Sequence, residues 1–314
     1  MRALVVSERG AGPAPAEVSE PAAEPGRAVV RVRAAALNPV DLAIAAGRFY
    51  LDVPDPPYVP GAEAAGEVVE SSALPAGTPV WCLPMTGGLA ELVSVPDAAV
   101  VPVPDGVGLP LAAALGIAGL AGWIPVRDRG GLAPGETVVV LGAGGAVGQT
   151  AIRAARDGGA GRIVAAARSA EGRERATAAG ADVALPIDDR LGEALRAACG
   201  EGADLVIDPL WGPPGMAAIG ALRRRGRVVQ VGSAAGATSE VTGGALRGGR
   251  LDIRGFSVFS EEPADVARSY ADLAAAAARG AVTMNVVEVP FAEAPAAWAR
   301  VAAGAGGHKL VVIL

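Results

Sequence analysis

The stretch TVVVLGAGGAVGQTAIRAAR, residues 137–156, predicts a buried strand, a glycine-rich turn and an amphipathic helix. In such a unit the glycines let the backbone pass close to a pyrophosphate, whose charge is met by free amides and the positive end of the helix dipole. The stretch therefore predicts a dinucleotide-binding site. A plain tight turn in an alanine-rich chain is the alternative.

The next predicted strand, residues 162–167, ends where the choice of dinucleotide is made. An Asp or Glu there would favour NAD, but this chain continues with Arg168 and Ser169. Because guanidinium groups bind phosphate oxygens in pairs, Arg168, Ser169 and Arg173 are predicted to hold the 2′-phosphate of NADPH. For Arg168 alone, the alternative is a solvated arginine at the start of a helix.

The composition favours a soluble, cytoplasmic protein of two domains, and the predicted dinucleotide site favours a small-molecule substrate. The 314 residues are enough for two cores, and a formal net charge of −6 argues against nucleic acid or an anionic membrane as partner. No apolar stretch is expected to reach membrane-spanning length, and the first ten residues lack the apolar core of a signal peptide. Cys82 and Cys199 are expected to be buried thiols.

The chain changes character near residue 111. Before it, β-branched runs predict strands at 28–32, 67–70, 92–95 and 99–103, and the prolines of 53–61 predict a loop. After it, alternating strands and helices predict a doubly wound parallel sheet, with strands at 137–141, 162–167, 182–185, 204–208, 227–231 and 251–254. The tail is predicted to return to the first domain, with helices at 264–279 and 292–303 and strands at 286–289 and 309–314. The predicted divisions are 1–112, 113–256 and 257–314.

Five blocks in order carry a family resemblance. They are AAALNPVDLAIAAGRF (34–49), VPGAEAAGEVVE (59–70), GGLAELVSVP (87–96), GLAPGETVVVLGAGGAVGQTA (131–151) and GRVVQVGSAAG (226–236). Together they resemble the medium-chain dehydrogenase/reductase superfamily, and within it the zinc-independent quinone oxidoreductase group. The resemblance implies an α/β fold in which a GroES-like, β-rich catalytic domain is combined with a Rossmann domain that binds NADPH. It also implies a homodimer.

The resemblance also places the cofactor. The group's AxGxxG fingerprint falls on Ala143, Gly145 and Gly148. Outside the 2′-phosphate site, the implied cofactor-binding residues are Ala143, Gly145, Ala146, Val147, Gly148, Gly232, Ser233, Phe256, Ser257 and Lys309. For Lys309, an exposed lysine at the start of a strand is the alternative.

A metal site is not expected, because catalytic zinc needs about three convergent Cys, His or carboxylate ligands. By resemblance, Asn38 occupies the position of the first zinc cysteine, and the GHE triplet of zinc-binding members reads GAE at 61–63. The single histidine, His308, is more consistent with a surface or cofactor-edge residue. The chemistry is then expected from the nicotinamide, with the protein supplying orientation and a hydrogen-bond donor.

Asn38, Asp41 and Tyr50 are the predicted catalytic residues. By resemblance Asn38 lines the nicotinamide pocket, where its amide could donate to an oxygen; a turn before a proline is the alternative. Asp41 could instead cap the following helix. Tyr50 could donate a phenolic proton or simply pack. Tyr58 and Trp211 are the predicted substrate-pocket residues, with packing again the alternative.

The expected function is an NADPH-dependent, zinc-independent oxidoreductase that transfers hydride to a quinone or an α,β-unsaturated carbonyl compound. One alternative is a biosynthetic reductase of an enoyl thioester, carbonyl or imine in secondary metabolism. Another is a noncatalytic NADPH-binding protein, because Ala43, Phe49 and Ala121 replace hydroxyl-bearing residues frequent in the group.

Overall fold

The computed structural model describes residues 1–314, which divide into two compact units. Unit 1 consists of Met1–Ala118, Glu262–Gly280 and Met284–Leu314. Unit 2 consists of Gly119–Glu261 and Ala281–Thr283. The division therefore falls after residues 118 and 261, where the sequence predicted 112 and 256, and the tail belongs with the N-terminal region.

The chain forms fifteen strands and ten α-helices. The strands are β1 (Arg2–Val5), β2 (Ala14–Glu17), β3 (Arg27–Ala36), β4 (Ala64–Glu70), β5 (Pro79–Cys82), β6 (Leu92–Pro96), β7 (Val100–Pro102), β8 (Thr137–Val140), β9 (Arg162–Ala167), β10 (Val183–Pro186), β11 (Ala203–Asp208), β12 (Leu222–Gln230), β13 (Asp252–Gly255), β14 (Val286–Pro290) and β15 (Lys309–Ile313). The helices are α1 (Pro39–Ala45), α2 (Leu109–Ala114), α3 (Leu120–Ile124), α4 (Ala146–Asp157), α5 (Ala170–Ala178), α6 (Leu191–Cys199), α7 (Gly212–Ile219), α8 (Gly243–Gly249), α9 (Pro263–Ala278) and α10 (Ala294–Ala302).

Unit 1 is built around β3, which pairs with β4, β6 and β15. Along β3, Val30, Val32 and Ala34 are buried while the intervening Arg31 and Arg33 are exposed, the alternation of a strand with one face on a core. The sheet runs in the order β14-β15-β3-β4-β5-β7, so the C-terminal strand β15 lies inside it. The tail thus contributes two strands, β14 and β15, to the sheet of unit 1.

Unit 2 contains a six-stranded sheet in which every pairing is parallel, in the order β10-β9-β8-β11-β12-β13. The centre of β8 (Val138, Val139, Val140) and that of β11 are fully buried, as expected for strands covered on both faces. The order reverses its direction between β8 and β11, which creates the topological switch point of a doubly wound sheet. The predicted fold class is confirmed.

The apolar run Leu109–Arg129 differs from the prediction that no stretch reaches membrane-spanning length. It is helical over 21 residues, and its most apolar window has a mean hydropathy of 1.8, but 78% of that window is buried inside the protein. Such burial is typical of the core helices of a folded domain. The run is also not a straight helix, because Gly116 between α2 and α3 departs from helical geometry (φ −59°, ψ −110°).

Candidate functional site

The glycine turn of unit 2 lies between β8 and α4. A Cβ atom added to Gly148 would lie 2.6 Å from both the Cα atom of Ala143 and the carbonyl oxygen of Gly142. The first turn of α4 can therefore pack onto the end of β8 only because residue 148 has no side chain. This close packing brings the start of the helix to the carboxyl edge of the sheet, beside the switch point.

The start of α4 leaves backbone donors free. Gly145 is the N-cap and supplies no capping side chain, and the first helical hydrogen bond runs from the Gln149 amide to the Gly145 carbonyl at 2.9 Å. The amides of Ala146, Val147 and Gly148 precede that bond, so they can bind an anion at the positive end of the helix dipole.

Contacts made by other groups hold the turn in shape. The Ala143 amide donates to the Ala166 carbonyl of β9 at 3.0 Å. The Gly144 carbonyl accepts from Gln149 Nε2 and from Arg175 Nε, both at 3.0 Å. Arg175, whose side chain supports the turn from α5, was not among the predicted residues. Arg173 and Arg175 lie two residues apart on different faces of α5, so the sequence does not show which of them supports the turn.

The three residues predicted for the 2′-phosphate follow β9, but they differ in their contacts. Ser169 Oγ accepts from the Gly172 amide at 3.0 Å and thereby caps α5. Arg173 Nη1 donates to the Arg168 carbonyl at 3.0 Å. The Arg168 side chain itself is exposed and has no hydrogen-bond or ion-pair partner. The free amides and this free guanidinium fit a dinucleotide that carries a 2′-phosphate.

Other predicted cofactor residues follow strands of the same sheet. Gly232 and Ser233 come after β12, and Phe256 and Ser257 come after β13. Because the strands are parallel, these residues lie at the same carboxyl edge as the glycine turn. The Phe256 amide donates to the Gln230 carbonyl at 2.9 Å, which joins the two strand ends.

Trp211 lies in a tight turn after β11. Its backbone has φ +55°, and its amide donates to Asp208 Oδ1 at 2.8 Å. The indole is partly buried against the core of unit 2, which matches the packing alternative for this residue.

Unit 1 contains a buried cluster of polar side chains that was predicted only in part. Its members are Asn38, Asp41, Glu63 and Lys309, each at most 5% exposed. Asn38 precedes α1, Glu63 precedes β4, and Lys309 begins β15. We call this group the buried polar cluster.

Glu63 is the centre of the buried polar cluster and was not predicted. Its carboxylate accepts from Asn38 Nδ2 at 2.7 Å, from Trp81 Nε1 at 3.3 Å and from the Ile117 amide at 2.5 Å. Lys309 Nζ lies 3.3 Å from Oε1. A Cβ atom on Gly116 would collide with Oε2, so the missing side chain at that glycine is what gives Glu63 access to the Ile117 amide.

Asp41 has the capping role that the sequence offered as its alternative. Its carboxylate accepts from the Asn38 amide at 2.7 Å, at the start of α1, and from the Ala62 amide at 2.8 Å. Burial raises the pKa of this carboxyl to about 6, and the hydrogen bonds from Asn38 and Ala62 limit the rise. Asp41 thus joins α1 to the chain that leads into β4.

The two tyrosines near α1 differ in environment. Tyr50 is 62% exposed, and its ring centroid lies 4.6 Å from that of Phe49. Tyr58 is half-buried, and its hydroxyl oxygen is buried without a hydrogen-bond partner. Burial and the nearby Asp41 carboxylate raise the pKa of Tyr58.

The comparisons with known proteins agree with this architecture. The alcohol dehydrogenase GroES-like domain family matches residues 24–105, and the zinc-binding dehydrogenase family matches residues 146–278. Quinone oxidoreductase of Mus musculus is 30% identical over 246 residues, which cover 74% of this chain and 73% of that protein. The chain belongs to the medium-chain dehydrogenase/reductase superfamily. Within the superfamily it falls in the quinone oxidoreductase-like group.

Other proteins similar to this chain include a longer relative and two solved structures. Prostaglandin reductase-3 of Bos taurus is 31% identical over 218 residues, which cover 67% of this chain but only 56% of that protein, so the match spans little more than half of its length. The structure of the quinone oxidoreductase from Thermus thermophilus, described together with its complex with NADPH, superposes with a TM-score of 0.79 at 30% identity over all of both chains. A probable oxidoreductase from Mycobacterium abscessus gives a TM-score of 0.88 at 30% identity, covering 100% of this chain and 99% of that one.

One of the matching families is described as zinc-binding, but the donor side chains of this chain do not form a candidate metal site. The chain contains no group of three or more His, Cys, Asp or Glu side chains arranged to hold a metal ion. Cys82 and Cys199 are buried free thiols, as predicted. His308 is exposed.

Two predicted residues of this superfamily member have different contacts from those expected. Asn38 Nδ2 already donates to Ala36 O at 3.1 Å and to Glu63 Oε1, so the amide has no unused N–H for a substrate oxygen. Lys309 was predicted either to approach the cofactor or to be exposed. The exposed alternative is wrong, because the Lys309 ammonium is buried in unit 1, where it donates to Leu37 O at 3.2 Å and to Asn38 Oδ1.

Proposed function

We propose that this protein is an NADPH-dependent oxidoreductase that transfers a hydride to a quinone or an α,β-unsaturated carbonyl compound. One observation carries the proposal. Unit 2 has both free amides at the start of α4 and, after β9, the guanidinium of Arg168, which has no hydrogen-bond or ion-pair partner. The first would bind a pyrophosphate and the second a 2′-phosphate.

When bound, NADPH supplies the hydride, so the protein has to bind the cofactor, orient the acceptor next to it and polarise the acceptor. Ala146, Val147 and Gly148 would hold the pyrophosphate through their amides. Gly232 and Ser233 would line the path of the nicotinamide ribose. In unit 1, the buried polar cluster keeps Asn38 in a single orientation. An acceptor whose charge delocalises into an enolate or hydroquinone oxygen needs only weak polarisation, which suits this set of residues.

The preference for NADPH over NADH, the quinone or enone acceptor, a homodimer and a cytoplasmic location are parts of this proposal. The names of the relatives support it, since both quinone oxidoreductase and prostaglandin reductase occur among them. Biosynthetic reduction of one tailored enoyl thioester, carbonyl or imine remains the enzymatic alternative. Its mark would be a strong preference for one compound over simple quinones.

The test is oxidation of NADPH and of NADH, followed by absorbance, against a panel of quinones, enones, aldehydes and imines. The proposal predicts turnover of quinones or enones with NADPH and a higher KM for NADH. Tight NADPH binding without turnover of any acceptor would instead indicate a noncatalytic NADPH-binding protein. Loss of activity on chelation would contradict a zinc-independent reaction.

A further inference from the structure

The lysine of the buried polar cluster supports an inference about how this site is ordered. Lys309 is the single lysine of the chain, and its side chain is 5% exposed beside a Glu63 side chain that is 0% exposed. Burying an ammonium is costly unless oxygens surround it. Three do so here: Leu37 O at 3.2 Å, Glu63 Oε1 at 3.3 Å, and Asn38 Oδ1.

These charges determine the orientation of the Asn38 amide. Its oxygen faces the Lys309 ammonium, and its nitrogen donates to the Glu63 carboxylate. The reversed amide would set an NH₂ group against the ammonium and an oxygen against the carboxylate. Both contacts would then be repulsive, so the Lys309–Glu63 ion pair allows one orientation only.

The position of the ammonium is itself fixed by the sheet. The Lys309 amide donates to the Asn285 carbonyl at 2.8 Å, and the Leu37 amide donates to the Leu310 carbonyl at 3.0 Å. The register between β15 and β3 therefore brings the backbone of the lysine next to Asn38, so that its buried side chain reaches the Asn38 amide.

We propose that Lys309 is a positioning residue of the reductase, an internal cation that orders Asn38 and Glu63 as a bound metal ion orders its ligands. This inference rests on the proposed function for its effect on turnover. Its effect on unit 1, however, is independent of any acceptor. The three oxygens are suited to bind a primary ammonium group, because its three N–H donors match three acceptors.

The proposal is tested by removing the ammonium and returning it in solution. Lys309→Ala deletes three carbons and the nitrogen, the four heavy atoms of n-propylammonium. We expect kcat to fall about 10- to 100-fold while the KM for NADPH changes less than about twofold. We also expect the Tm to fall by about 5 to 10 °C. Propylammonium should restore much of both kcat and Tm, whereas n-propanol, which has the same size but no charge, should restore neither.

Lys309→Met is the matched control, because it keeps the length of the side chain without its charge. Its kcat should be low and should not respond to propylammonium, since no cavity is open. A wild-type kcat in this variant, or equal rescue of Lys309→Ala by propanol, would overturn the proposal. If Lys309→Ala does not fold unaided, refolding with propylammonium but not with propanol supports the proposal, and refolding with neither overturns it.

The Tm measurements need no acceptor. If wild-type protein reduces nothing on the panel, the proposed function fails, while rescue of the Tm still decides the role of the Lys309 charge.

Discussion

The exposed guanidinium of Arg168 makes no hydrogen bond or ion pair within the protein, so the effect of its substitution can be interpreted mainly through ligand binding. Arg168→Ala should raise the KM for NADPH about tenfold or more, because a charge-assisted bond to phosphate is lost. The KM for NADH, which has no 2′-phosphate, should change little. Steady-state kinetics with both nucleotides measure the effect.

The matched control is Arg224→Ala. Arg224 is also an exposed arginine, and it lies near the amino end of β12, whereas Arg168 follows the carboxyl end of β9. The Arg224→Ala variant should have the same KM values for NADPH and NADH as wild type. If Arg168→Ala raised the KM for NADPH and the KM for NADH equally, Arg168 would not be a ligand of the 2′-phosphate.

Asp41 makes stability depend on pH. Its pKa is raised from 3.8 to about 6, so the fold favours the protonated form. The stabilisation is complete below about pH 4 and is lost as the pH rises through 6; a shift of this size corresponds to about 3 kcal/mol. Between pH 4 and 7, wild type should therefore lose more free energy of unfolding than Asp41→Asn does.

Urea unfolding of wild type and Asp41→Asn at several pH values measures this difference. Subtraction cancels carboxylates such as Glu136 and Asp182, whose lowered pKa values act in the opposite direction. Lys309, Glu63 and Tyr58 also face this carboxyl electrostatically. Parallel pH profiles would show that Asp41 does not titrate in this range.

At the scale of elements, the junction of β8 and α4 depends on one missing side chain. Gly148→Ala would place a methyl carbon 2.6 Å from two backbone atoms, so α4 must move away from the turn. We expect unfolding to become easier by about 2 kcal/mol and NADPH affinity to fall at least tenfold. Gly145→Ala is the control for stability, because its added carbon would come no closer than 3.5 Å to Gly142 O. Chemical denaturation and nucleotide fluorescence measure the two effects; equal stability of the two variants would contradict the packing argument.

The same junction shows which elements a sequence can reveal. β8, the turn and α4 were predicted because their hydrophobic period and their glycines are local signals. β2 was missed because all four of its residues are exposed, so it has no alternation, and only its pairing with β1 defines it as a strand. The early start of β12 was missed for a similar reason, since Arg223, Arg224 and Arg225 lie in an exposed segment.

In the candidate site, too, the residues with local sequence signals were predicted, and the contacts between residues distant in the sequence were not. Arg168 was predicted from its position after a strand. The partnership of Asn38 with Lys309 spans 271 positions and is created by the register of β15 on β3, which no local pattern specifies. Glu63 was read only as the end of an altered zinc triplet, and its donors, Trp81 and Ile117, come from two further elements.

At the scale of the whole molecule, unit 1 is assembled from separated parts of the chain, whereas unit 2 is nearly continuous. Deleting residues 309–314 removes β15 from between β14 and β3 and takes away the cation beside Glu63. We expect unit 1 to lose its protection against limited proteolysis while residues 119–261 remain a resistant fragment that binds NADPH. His308→Ala, an exposed change just before β15, should leave the digestion pattern as in wild type. A truncated protein with the wild-type pattern would show that β15 is dispensable.

The interior place of β15 also has a consequence for synthesis on the ribosome. Glu63 and Asn38 emerge early, but the lysine that balances their site is translated only after all of Gly119–Glu261. Domains generally fold as units during synthesis, so a domain needs all of its strands before it can finish folding. Unit 2 can therefore finish folding first. Until β15 has been synthesised, the N-terminal part of unit 1 lacks both this strand and the ammonium that balances the Glu63 carboxylate.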